Sequence, residues 1–172
     1  MYMDKISEER IEALHPKVKD IFRTIYNKIN NEIFKDSYVK CRVACTLRSP
    51  KQQHQLYEQG RTIAGKIVTN ADSWQSYHQY GLAIDLVLLV DKDHNGSYES
   101  ISYDKNVDNN LDSLTDWNQI LEEFRKVGFE LGKDFRKFSE YPHIQMRFNY
   151  RWSELSEMVK QNLIDKDGYV II

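Results

Sequence analysis

The chain has 172 residues, of which 41% are hydrophobic and 29% charged, and a net charge of −2. That is enough chain to bury one core and the composition of a globular protein, not a disordered or fibrous one. It excludes a membrane span, since no stretch approaches the ~20 apolar residues required, and it offers no basic footprint for nucleic acid.

The N-terminal Met1–Pro16 is polar and lacks the basic-then-apolar order of a secretory signal. Cytoplasmic synthesis is therefore expected. Ile11, Leu14, Val18, Ile21, Phe22, Ile25, Ile29 and Ile33 recur at helical steps. They predict helix from Ser7 to about Phe34, divided at Pro16, with Ser7 able to cap it. Alternation of Val39, Cys41, Val43, Cys45 and Leu47 predicts a half-buried strand. On a strand rising about 3.3 Å per residue the two cysteines lie about 13 Å apart, too far for a disulfide, which needs Cα atoms within about 7 Å. Both read as small buried hydrophobes. Ser49, Pro50 and Gly60 punctuate a helix over 49–60 as cap, first residue and stop.

Residues 61–80 read mostly as loop. The apolar run Leu82–Val90 predicts a central strand. Residues 91–114 are polar and long for a loop. Trp117, Ile120, Leu121 and Phe124 mark a helix from Asp116 to Val127 that Gly128 ends. A strand over His143–Phe148, a helix over Trp152–Leu163 and a short end strand from Tyr169 complete an α+β fold in one domain spanning 1–172.

The chemistry concentrates in two segments. In Ser76-Tyr-His-Gln-Tyr-Gly-Leu-Ala-Ile-Asp85, His78 and Asp85 are seven apart, which on one straight strand sends them to opposite faces. Gly81 offers a turn that lets both point into one site. Asp85 also breaks an apolar strand, where an unpaired buried carboxylate costs several kcal/mol unless a cation or a local partner compensates it. In Glu140-Tyr-Pro-His143, Pro142 predicts an extended lead-in to His143, and Glu140 lies near enough in sequence to reach the same centre. Two His and one carboxylate fit a catalytic zinc site with its fourth position open to water, and the spare Glu fits the base that takes the water's proton.

These segments resemble the LAS-type zinc peptidases, which include VanY-like D-Ala-D-Ala carboxypeptidases and phage L-alanyl-D-glutamate endopeptidases. The pattern Ser-x-His-x-x-Gly-x-Ala-x-Asp is met by Ser76, His78, Gly81, Ala83 and Asp85; the later Glu-x-x-His, with Pro before the His, by Glu140, Pro142 and His143. Ser7–Arg10 with Leu14–Val18 is similar to the endolysin N-terminus. Thr46–Ser49 with Gln52, Gln53, Leu56, Tyr57 and Gln59–Thr62 is similar to a cleft-flanking helix, and Gly128–Gly132 to an aromatic-rich segment in which Phe129 and Leu131 replace the usual Trp. The likeness covers roughly residues 6–165.

The resemblance implies a small antiparallel sheet carrying the zinc site, flanked by helices, as in hedgehog and D-Ala-D-Ala peptidase folds. It implies Zn²⁺ on His78, Asp85 and His143, Glu140 as acid and base, Arg48 steadying the oxyanion or a substrate carboxylate, and Ser76 and Gln53 contacting substrate. The implied reaction is hydrolysis of the L-Ala–D-Glu bond in peptidoglycan stem peptides by an endolysin-like monomer. It would have no separate wall-binding domain and would reach the wall after holin-type or lysis-dependent release. The alternatives are a D-Ala-D-Ala carboxypeptidase, or a non-catalytic zinc-stabilised binding module, against which the intact Glu140 argues. A metal-dependent nuclease is disfavoured by the acidic balance.

Asp91-Lys-Asp-His-Asn-Gly96 has the start of a calcium loop, but Ser102 occupies the position of its bidentate Glu. With Asp108, Asn110 and Asp112, it makes residues 91–112 a candidate Ca²⁺ insert, set against a solvated acidic loop. His15, His54 and His94 have ordinary explanations. Trp74, Tyr77 and Tyr80 either line the groove or pack around the metal motif.

Overall fold

The computed structural model describes residues 2, 4–136 and 138–172. In chain order its regular elements are α1 (Lys5–Glu12), α2 (Pro16–Lys28), β1 (Val39–Cys45), α3 (Pro50–Glu58), β2 (Ala83–Val90), β3 (Ser100–Ser102), α4 (Asp116–Lys126), β4 (Glu130–Leu131), β5 (His143–Gln145) and α5 (Trp152–Lys160). The strands form one antiparallel sheet in the order β1-β2-β5-β4, with β3 pairing the far end of β2. This is the expected α+β arrangement of a small antiparallel sheet flanked by helices.

The alternating pattern decides which sheet face meets the helices. Val39, Cys41 and Val43 of β1 and Ile84, Leu86 and Leu88 of β2 are fully buried in one cluster with Val18 and Phe22 of α2 and Trp117, Ile120, Leu121 and Phe124 of α4. Phe22 and Phe124 stack with ring centroids 5.2 Å apart. Each such side chain stabilises the fold by about 1.5–3 kcal/mol on burial, so this layer fixes the sheet on which the site is built.

The N-terminal helix is divided at Pro16 as the sequence predicts, but its caps differ. Asp4 is the N-cap of α1, accepting from the Ser7 amide at 3.1 Å. Ser7 is instead buried, its hydroxyl donating to Asp4 and accepting from the Val43 amide. Past Lys28 the helix widens into a single π turn, Ile29–Ile33. There the buried Asn30 side chain accepts from the Cys41 amide at 2.8 Å and donates to the Cys41 carbonyl at 3.1 Å, tying the turn to β1. The strand expected over 143–148 stops at Gln145, and the C-terminal strand reduces to one bridge between Ile164 and Val170. The short strands β3 and β4, absent from the sequence reading, carry too few residues to show a period.

Candidate active site

Strand register brings the first two candidate residues together. Asp85 of β2 lies directly opposite His143 of β5, and residues so paired share a sheet face. His143 Nδ1 lies 3.1 Å from Asp85 Oδ1. His78 arrives from the short 3-10 turn Tyr77–Tyr80, whose cap is Ser76. The turn ends at Gly81 with φ +67°, so the chain reverses into β2 and His78 Nε2 comes to 3.2 Å from the same Asp85 oxygen. The seven-residue spacing is thus reconciled by the left-handed glycine, as the sequence suggests.

The protonation pattern tests whether these residues suit a metal. The His78 ring nitrogen Nδ1 lies 2.7 Å from the Thr46 carbonyl oxygen, which can only accept, so Nδ1 carries a proton. In the neutral ring Nε2 then presents a lone pair to Asp85. His143 Nδ1 does the same, because its Nε2 faces the Gln145 amide oxygen at 3.0 Å. Two imidazole lone pairs and a carboxylate therefore converge, an arrangement that needs a proton or a cation between them. With a proton there, burial alone would lower the His78 pKa, but the Asp85 charge outweighs it and the group is pushed up to about 10. Burial would raise Asp85, and the two histidines instead hold it well below the usual carboxylate range. A divalent ion in place of that proton would meet two imidazole nitrogens and a carboxylate, donors of the kind zinc takes.

Glu140 enters through a turn. Its carbonyl accepts from the His143 amide at 3.3 Å and its own amide donates to the Gly132 carbonyl at 3.0 Å. Pro142 therefore sits in a tight turn and not in an extended lead-in, since its fixed φ suits either. Burial and the Asp85 charge raise the Glu140 pKa. Glu140, Arg48, Ser76, His78, Asp85 and His143 all line one cleft of about 420 Å³, which Tyr77, Phe135 and Phe138 also border.

Arg48 is fixed at two points, donating to Gln53 Oε1 at 2.8 Å and to Asp85 Oδ2 at 3.2 Å. Gln53 departs from its expected role. It is fully buried beneath the cleft, with its oxygen taken by Arg48 and its nitrogen donating to the Ala71 carbonyl at 2.7 Å. Both ends of its amide are engaged, so it holds Arg48 instead of contacting substrate. The Ser76 hydroxyl accepts from the His78 amide at 3.4 Å and so also serves the turn.

Cys45 is the residue that sequence reasoning missed. A β-bulge between Val43 and Cys45 shifts the register, so that Val43 faces Leu86 but Cys45 faces Asp85. The extra residue moves Cys45 off the core face and onto the site face. Its sulfur, one His78 nitrogen and one Asp85 oxygen lie within 4.8 Å of one another. Burial raises its thiol pKa, but His78 and Arg48 together bring it below the ordinary value. Alternation alone carries no signal for a bulge.

Carboxylates of the insert are bonded within the insert. Asp91 accepts from the Asn95 and Gly96 amides, and Asp108 from those of Leu111, Asp112 and Ser113. These carboxylates fold the insert's turns themselves, the local role such residues commonly take, and the Ca²⁺ expectation finds no support. Among the described residues, no helix is long and apolar enough to cross a membrane.

Residues 69–146 match a peptidase M15 family model described as D-alanyl-D-alanine carboxypeptidase. The chain is 46% identical over 99 residues to the peptidoglycan L-alanyl-D-glutamate endopeptidase CwlK of Bacillus subtilis (strain 168), an alignment covering 58% of this chain. It spans 56% of that relative's length. The crystal structure of Serratia marcescens L-Ala D-Glu endopeptidase ChiX shares the fold, with a TM-score of 0.56 at 19% identity over 86% of this chain and 91% of that one.

Proposed function

We propose that this chain, whose residues 69–146 match a peptidase M15 family model, is a zinc-dependent endopeptidase that cuts the L-Ala–D-Glu bond of peptidoglycan stem peptides. The observation that carries the reading is the approach of His78 and His143 to the same Asp85 oxygen, in a cleft that Glu140 and Arg48 also line. The 46% identity to CwlK supports the bond assignment.

Zinc held by His78, Asp85 and His143 would polarise the scissile carbonyl and lower the pKa of the attacking water toward about 7. Glu140 takes the proton from that water and returns it to the leaving amine of D-Glu. Its raised pKa suits both halves of that cycle. Arg48, held rigid by Gln53, directs a fixed positive charge at the oxygen on which negative charge develops. Ser76 and the aromatic residues of the cleft bound the space in which the stem peptide lies. Action on the wall follows release from the cytoplasm, as in an endolysin.

Glu140→Ala is expected to keep zinc and lose wall lysis, whereas His143→Ala loses both. Wall-lytic activity undiminished in Glu140→Ala would remove the base assignment. The family model's description favours a second reading, release of terminal D-Ala. Mass spectrometry of digested walls separates the two, through new L-Ala carboxyl ends against free D-Ala.

A further inference from the structure

We infer that Gln145 is a positioning residue that, backed by Glu130 and Arg147, fixes the His143 ring in the tautomer and orientation that bind the metal. This rests on His143 being a ligand. The register supplies the contacts. His143 and Gln145 alternate along β5, so they share a face, and Gln145 is the cross-strand partner of Glu130 in β4 on one side and of the small Ala83 in β2 on the other. The Gln145 amide is buried, and both of its ends are used. Its oxygen lies 3.0 Å from His143 Nε2, and its nitrogen donates to Glu130 Oε2 at 3.0 Å. Glu130 is in turn held by the Arg147 guanidinium, with Nε and Nη2 each 2.6 Å from Oε1.

The chain of bonds has only one consistent direction. An ionised carboxylate can only accept, so Glu130 obliges the Gln145 nitrogen to face it. The Gln145 oxygen must then face His143. An amide oxygen can only accept, so His143 Nε2 must carry the ring proton. That leaves the Nδ1 lone pair, the atom 3.1 Å from Asp85, free for a cation. A partner that sets the tautomer of a metal-binding imidazole typically changes metal affinity or activity 10–100-fold when removed. His78 has the equivalent support from a backbone carbonyl, that of Thr46, which no side-chain substitution removes. The His143 half of the site is therefore the half that substitution of its supports can weaken.

Zinc affinity measured by competition with a chromophoric chelator, together with the visible spectrum of the Co²⁺-substituted protein, tests this without recourse to activity. Gln145→Leu is expected to weaken zinc binding by about 10–100-fold and to alter the Co²⁺ bands. Glu130→Ala, at a more exposed position than Gln145, should weaken binding by about 3–10-fold although Glu130 does not touch the ligand. Glu130→Gln can still accept from Gln145 through its amide oxygen and should restore most of the loss. If His143→Ala weakens zinc binding while Gln145→Leu and Glu130→Ala bind as the parent does, the positioning role is overturned and the ligand assignment stands. If His143→Ala itself binds zinc as tightly as the parent, the ligand assignment falls and the inference with it. Glu130→Gln as damaging as Glu130→Ala would also count against the role, since it would make charge, not tautomer direction, the relevant property.

Discussion

Gly132→Ala tests how closely the site depends on backbone approach. A Cβ at Gly132 would lie 2.3 Å from the Glu140 carbonyl oxygen, 2.9 Å from His143 Cβ and 3.0 Å from the His143 carbonyl oxygen. Cβ contacts under 3.0 Å are essentially unknown, so the Glu140 carbonyl must retreat by at least 3.0 − 2.3 = 0.7 Å. Two of the three obstructing atoms are backbone, so no side-chain rotation relieves them. The displaced segment is the turn that presents both Glu140 and His143, and it is tied to Gly132 through the Glu140 amide. A misplacement of about 1 Å can lower a catalytic rate about 100-fold, and overpacking of this kind destabilises by about 1–3 kcal/mol. On the proposed function, the expected variant is folded with a lowered melting temperature and clears suspensions of purified walls about 30–100 times more slowly than the parent. Turbidity loss, thermal melting and zinc content per chain measure the three quantities. A folded Gly132→Ala with activity within about threefold of the parent would refute the claim that this contact sets the geometry of Glu140 and His143.

Gly81→Ala meets two costs, left-handed backbone at φ +67° and a Cβ only 2.7 Å from the His15 amide nitrogen; together they predict a loss of about 2–4 kcal/mol in denaturant unfolding. Gly81→Asn relieves only the first, and either variant within about 0.5 kcal/mol of the parent would show that the turn relaxes freely. His15 caps α2 with Nδ1, which accepts from the Lys17 amide, while Nε2 lies 3.0 Å from the Val170 carbonyl. The neutral ring is thus the one that fits, and burial lowers its pKa below 6.5. The unfolded chain then takes up the proton first, so this contribution is full above about pH 6.5 and is lost as pH falls from there through the folded pKa. His15→Asn keeps a capping acceptor but removes the titration, so its stability should fall less than the parent's between about pH 7 and pH 5; equal slopes would exclude His15 as the source.

The local, periodic features were the legible ones. Phe22, Phe124 and the alternating residues of β2 announce their buried face through spacing, because packing against one layer imposes one period. Asp85 is legible for a different reason, since a carboxylate inside an apolar strand costs free energy that only a partner offsets, whereas His78 and His143 stand out through the motifs they share with the resembled family. The burial of Gln53 against Arg48 depends on a contact between α3 and the 69–71 segment that no sequence period reports. Ser7 was misread for the same reason, its hydroxyl being committed to a strand 36 residues away.

Cys45 shows most clearly how the site departs from regular structure. Strict alternation puts it with Cys41 and Val43 in the core, and a straight β1 would do so. One bulge reverses its face and places it opposite Asp85, while on the other side of Asp85 the left-handed Gly81 delivers His78 and the close-packed Gly132 seats the turn that presents Glu140. Asp85 and His143, by contrast, are held opposite each other by regular strand pairing. The groups around the reacting centre are thus brought in by irregular backbone set against that rigid pair. Substitutions at these backbone positions should accordingly alter chemistry more than their stability cost alone explains, whereas a conservative core change such as Leu86→Met should alter stability and leave the pH dependence of wall lysis unmoved.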